Sequence, residues 1–134
     1  MAVERPIYRE PRPITHEEAE VALQSGDPSI VNPAFFDLAF NDDDWRWVQE
    51  QCIRLSVHPV WNIRAAAATA LGHLARIHRQ LDVDRVLPIL QRLKQESSEA
   101  ASSAHHALSD VLQFVPGAKE VAAHMPEAGR PDTT

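Results

Sequence analysis

The stretch from Pro59 to Gln80 constrains the fold more than any other part of this chain. Val60, Ile63, Ala67, Ala70, Leu71, Leu74 and Ile77 recur at three- and four-residue intervals, the spacing that lines one face of a helix. An unbroken alanine run, Ala65 to Ala68, lies inside it. Alanine favours the helical state and lets a neighbouring helix come close. A helix with one apolar stripe gains most of its stability by burying that stripe against something else. The remainder of the chain therefore has to supply partner helices.

It does so with the same period. Trp45, Val48, Cys52 and Leu55 fall on one face, introduced by Asp42-Asp43-Asp44, whose carboxylates suit a helix start because they cap free amides and oppose the positive dipole end. Leu81-Asp82 interrupts the pattern, and Val83, Val86, Leu87, Leu90 and Leu93 resume it. A last helix is expected from about Ser98, with Ala101, Ala104, Ala107, Leu108, Val111 and Leu112 inward. Upstream, Thr15-x-x-Glu18 reads as a capping box opening a short helix that stops near Gly26. Asp27-Pro28 restarts the helix with a cap and a first-turn proline, carrying Phe35, Phe36, Leu38 and Phe40, and Pro33 is expected to kink it or delay its start. Glu50 and Arg54 are placed to pair at i, i+4. With 134 residues the chain fits one domain. Residues 1–13, with prolines at 6, 11 and 13 and arginines between, read as a flexible arm; residues 14–115 as the helical domain; and residues 116–134 as a mostly disordered tail beyond a short turn near Val121.

Placing Ala107-Leu108 on Ala70-Leu71 also brings Ala104 onto Ala67 and Ala101 onto Arg64. The offset of 37 residues lies within the period of helical-pair arrays, and residues 28–57 form a looser earlier copy. Pro59, Ile63-Arg64, Ala67 and Ala70-Leu71-Gly72, followed by Val83-x-x-Val86-Leu87-Pro88-x-Leu90, resemble a HEAT repeat. Pro59–Glu96 carries the likeness best. Residues 28–57 and 98–114 match loosely, and Ala100-Ala101 stands where the family has an aliphatic-arginine pair, as in a worn terminal repeat. Asp44-Trp45-Arg46-Trp47-Val48-Gln49, with Leu71-Gly72-His73-Leu74-Ala75-Arg76-Ile77-His78 later, is similar to short bacterial HEAT proteins, some of which act as immunity proteins beside secreted toxins. The resemblance implies an all-α fold: a short right-handed α-solenoid of five to six helices stacked as antiparallel pairs. In such solenoids the second helices line the concave side, which would join the outward faces of residues 43–57 and 83–96 in one surface.

Catalysis is not expected, nor is a metal or any other cofactor. His73 and His78 are five apart on a helix and face different ways, while His105 and His106 are adjacent and cannot converge on one ion. His16-Glu17 is a single such dipeptide, where the HEAT-like iron hydroxylases have several. Cys52, the one cysteine, allows no internal disulfide and sits in an apolar stripe without a base beside it. Gly26, Gly72, Gly117 and Gly129 are isolated, so no phosphate-binding loop exists.

The formal charge is −6, from 19 acidic and 13 basic residues. Phosphate backbones call for clustered cations, whereas Arg76, Arg79, Arg85, Arg92 and Lys94 are diluted by Asp82, Asp84 and Glu96; nucleic acid, the target of HEAT-like alkylbase glycosylases, is a poor fit. No apolar signal core or run of membrane-spanning length is present, which points to the cytoplasm. Two readings of the acidity stand side by side: solubility, or attraction of a basic partner. On the second, the chain binds and neutralises a basic protein such as a cognate toxin or nuclease domain, through Asp42, Asp43, Asp44, Trp47 and Asp84. Trp47 lies about 200° from Trp45 around a helix and faces either solvent, as a binding hot spot would, or the Phe35–Phe40 segment. Trp61, at a helix start, reads as a staple. Reversing the three aspartates is expected to weaken binding at unchanged melting temperature. The rival readings are a scaffold or assembly factor docking through residues 1–13, and a lyase-type helper, which would require a large apolar cleft. The oligomeric state is left open.

Overall fold

Seven helices follow one another in the computed structural model, which describes residues 10–125. They are α1 (His16–Leu23), α2 (Pro28–Asn41), α3 (Trp45–Leu55), α4 (Trp61–His78), α5 (Val83–Lys94), α6 (Ala100–Phe114) and α7 (Ala118–Ala123), and no strand occurs among the described residues. Residues 1–9 of the expected arm and 126–134 of the expected tail lie outside the described residues. The all-helical class stands, but the count is seven instead of five to six. The additional element is α7, which follows Gly117 at φ 84° and buries only Ala118 outright; so small an apolar contribution leaves little periodicity to read.

The helix starts follow local chemistry. The Thr15 hydroxyl accepts from the Glu18 amide while the Glu18 carboxylate accepts from the Thr15 amide, closing the capping box of α1. Asp27 caps α2 ahead of Pro28, and the helix continues through Pro33, whose ring is exposed. Asp44 caps α3. Helix α4 ends on Arg79 in the left-handed conformation, φ 56°, the position a glycine more often fills.

Helix α4 is the centre of the molecule. It packs against α2 on one side, α6 on the other and α3 behind, while α1 covers α2, α5 covers α6, and α7 closes on α5 and α6. Ile63, Ala67, Ala70, Leu71 and Leu74 are buried as the stripe requires, and each fully buried leucine contributes roughly 2 kcal/mol of transfer free energy. Ile77, read as the end of that stripe, is instead exposed in the last turn of α4. At Gly72 an added Cβ would stand 3.1 Å from the Ala107 Cα and 3.1 Å from Asp110 Oδ2, so α4 and α6 meet backbone to backbone there.

Polar cross-links tie distant segments. Gln49 is fully buried; its Oε1 accepts from the Asp82 amide at 2.7 Å and its Nε2 donates to Asp82 Oδ2 at 2.9 Å. Arg64 donates to both oxygens of Glu96 and to the carbonyls of His58 and Pro59. Arg92 donates to the Ser56 carbonyl at 3.0 Å. The expected Glu50–Arg54 pair is not formed: Glu50 binds Arg85 across to α5, and Arg54 donates to Gln51. A two-point guanidinium contact from the neighbouring helix displaces the weaker intrahelical pair.

Candidate functional site

The five residues singled out for partner binding fall around the α2–α3 junction and the start of α5. Asp42 is the C-cap of α2 and is spoken for twice: its Oδ2 lies 2.8 Å from His16 Nε2 and its Oδ1 accepts from the Asp44 amide at 2.8 Å. Only 12% of its side chain is exposed. Asp44 is the N-cap of α3, its Oδ1 accepting from the Trp47 amide at 3.1 Å. Asp43, between them, is exposed and makes no side-chain hydrogen bond or ion pair among the described residues.

Trp47, partly buried on α3, faces α1. Its ring stacks on the His16 imidazole, centroids 3.7 Å apart and planes within 4°, and it packs half-buried on the core. His16 therefore joins α1, α2 and α3 by one stack and one charge-assisted contact. Its only visible sequence signal was the His16-Glu17 dipeptide, considered as a metal motif, and its true role depends on a tertiary neighbour. Asp84, on the first turn of α5, is exposed and shares no bond with the other four. The start of α5 is held to α3 nearby, where Gln49 and Glu50 bind Asp82 and Arg85.

A second surface lies between α2, α4 and α6, a groove of about 580 Å³. Its floor is Ala65, Ala66, Thr69 and Ala70; Phe35 and Phe36 form one wall, Ser102 and Ser103 the other, with Trp61 and Glu99 at one end and His73 at the other. Phe36, Phe40 and Trp61 stay 37%, 39% and 38% exposed. Trp61, the first residue of α4, also borders the groove. His73 touches both phenylalanines, with centroids 6.0 Å from Phe36 and 5.1 Å from Phe40. Burial, then the neighbouring Arg76, hold its pKa below the usual histidine value, so it is neutral at neutral pH. The groove carries little sequence signal because its floor is alanine and threonine and one wall is serine, which advertise no site.

Cys52 is fully buried, and burial pushes its thiol pKa far up; a thiol in that setting stays protonated and unreactive. Among the described residues no three His, Cys, Asp or Glu side chains gather as a metal would require, and no helix is long and apolar enough to cross a membrane.

Comparison with known proteins places this geometry. The HEAT repeat family matches residues 48–78, which spans most of α3 and all of α4. A chain from the crystal structure of a CDI complex of Cupriavidus taiwanensis LMG 19424 is similar over 82% of this chain and 98% of its own length, at 32% identity and a TM-score of 0.69. No curated protein matches. The repeat is therefore framed as α3 followed by α4, one helix earlier than the Pro59–Glu96 unit read from the sequence. The reason is visible in the packing, since α4 lies more extensively on α3 than on α5. In that frame α4 is the second helix of the matched repeat. The chain belongs to the HEAT-repeat family.

Proposed function

We propose that this chain is a non-catalytic protein-binding module of the immunity type: a short right-handed solenoid of antiparallel pairs α1–α2, α3–α4 and α5–α6 that covers a basic protein partner, such as a toxin or nuclease domain, and blocks its active surface in the cytoplasm. The observation that carries the reading is the likeness, along nearly the whole of its length, to a chain that belongs to a CDI complex. Three features are in keeping with it. The net charge is −6, which favours encounter with a cation-rich surface. Asp43 and Asp84 offer exposed carboxylates without partners among the described residues, while Asp42, Asp44 and Trp47 hold the α1–α2–α3 corner in shape behind them. The one thiol is buried and protonated, so it offers no ready nucleophile.

The test is co-expression with the product of the adjacent reading frame. Cells that stop growing when that product is made alone are expected to recover when this chain is supplied, and the two proteins to co-purify in equal amounts. Recovery of several housekeeping subunits in its place, with no growth defect to relieve, would overturn the inhibitor reading in favour of a scaffold.

A further inference from the structure

The groove between α2, α4 and α6 lies away from the acidic corner and has its own chemistry. Its floor is mainly apolar, because Ala65, Ala66 and Ala70 present only methyl groups there, with the Thr69 side chain beside them. The chain leaves two of its lining aromatic rings, Phe36 and Trp61, exposed, although burying either of them would be worth more than burying an alanine. Charge within it is sparse. Arg76, at the His73 end, is engaged by Asp110 at 3.4 Å and by His73, and His73 itself is neutral. Glu99 is the single formal charge among the residues lining the main groove. It is exposed, occupies the N-cap position of α6 without making a side-chain capping bond, and has no ion pair among the described residues. A lone carboxylate, an indole at the same end and a methyl-lined floor between aromatic and hydroxyl walls together describe the surroundings of one cation on an aliphatic stem.

We infer that this groove is a second docking surface, and that it takes an arginine-bearing segment of a protein partner, the guanidinium seated between the Trp61 ring and the Glu99 carboxylate. Arginine suits the site better than lysine. A guanidinium is planar, weakly hydrated and stacks on an indole face while presenting paired donors to a carboxylate. Its remaining N–H groups find the Ser102 hydroxyl and the Asn62 side-chain carbonyl along the same rim. The methylene stem lies on Ala65 and Ala66, and a flanking apolar side chain of the partner fills the space beside Phe36. The inference rests on the protein-binding reading only in naming a protein as the bearer of the arginine; it involves neither the acidic corner nor inhibition.

The experiment uses the full chain, isotopically labelled, titrated with a blocked leucine-arginine-leucine tripeptide and with the same peptide carrying citrulline, the neutral isostere. The arginine peptide is expected to shift the Trp61 indole N–H and the amides of Ala65 and Ser102 saturably. The citrulline peptide should bind about tenfold more weakly, and Glu99→Gln should weaken the arginine peptide by a similar factor. Glu99→Gln should also abolish the difference between the two peptides, whereas Trp61→Ala should weaken both. Equal binding of both peptides, no saturable shift, or shifts confined to Asp43 and Asp84 would overturn the inference. Shifts at the groove that grow with protein concentration before any peptide is added would overturn it too, by identifying a second copy of the chain as the occupant. A failed growth rescue with an intact peptide response would remove the inhibitor reading and leave the groove in place.

Discussion

Three consecutive aspartates do three different jobs, and the difference is one of neighbours. Asp44 satisfies a free amide at the start of α3, so Asp44→Ala is expected to cost about 1 kcal/mol of stability, read as a lower melting temperature. Asp43→Lys should leave stability within about 0.5 kcal/mol, as for other surface changes without a specific partner. Reversing all three together therefore cannot separate binding from folding, contrary to the expectation from the sequence. His73 supplies a pH dependence. Its folded-state pKa lies below the ordinary 6.5 because burial disfavours the imidazolium. The unfolded chain takes up this proton at a higher pH than the folded one. The associated stability is thus complete above pH 6.5 and is lost as pH falls through the folded value. Glu96, held below the ordinary 4.5 first by its Arg64 hydrogen bonds, adds a second loss at lower pH. Melting temperatures measured from pH 8 to about pH 2 should show both declines, and His73→Gln should remove the earlier one alone.

Among the elements, α4 was the most legible, since its stripe is long and capped by a clear change of pattern. The pairing of the elements was not legible. A 3.6-residue period says that a face is buried but carries no record of which neighbour buries it. That is why the repeat was framed from Pro59 forward, while α4 in fact lies on α3. The tightest joint, α4 against α6, depends on Gly72. Gly72→Val is expected to destabilise the protein by about 1–3 kcal/mol, because its methyl groups would press on the α6 backbone at Ala107 and force the helices apart. A denaturant midpoint unchanged by this substitution would show that α6 is free to move away.

For the molecule as a whole, the five proposed binding residues divide into a supporting set and an exposed set. The double variant Asp43→Lys, Asp84→Lys is expected to weaken a complex with a basic partner by about tenfold or more, mainly through slower association, and to flatten its dependence on salt. Titration calorimetry at two ionic strengths would check this, and an affinity unchanged at both would move the interface off this side. The groove was invisible beforehand because it is made by three helices none of which is unusual alone. Trp61 was its one conspicuous residue, and without the helix it faces a tryptophan at a helix start reads equally well as packing.

The helical class, the positions of the helices, their caps and the acidic balance were determined by the sequence itself, because they depend on spacing and on groups within a few residues of each other. Tertiary structure alone decided which carboxylates are free, that His16 stacks on Trp47, that Glu50 reaches Arg85 instead of Arg54, and that Phe36, Trp61 and Glu99 border one groove. Those outcomes compare neighbours more than twenty residues apart, and the free energies separating them arise only once the helices have met.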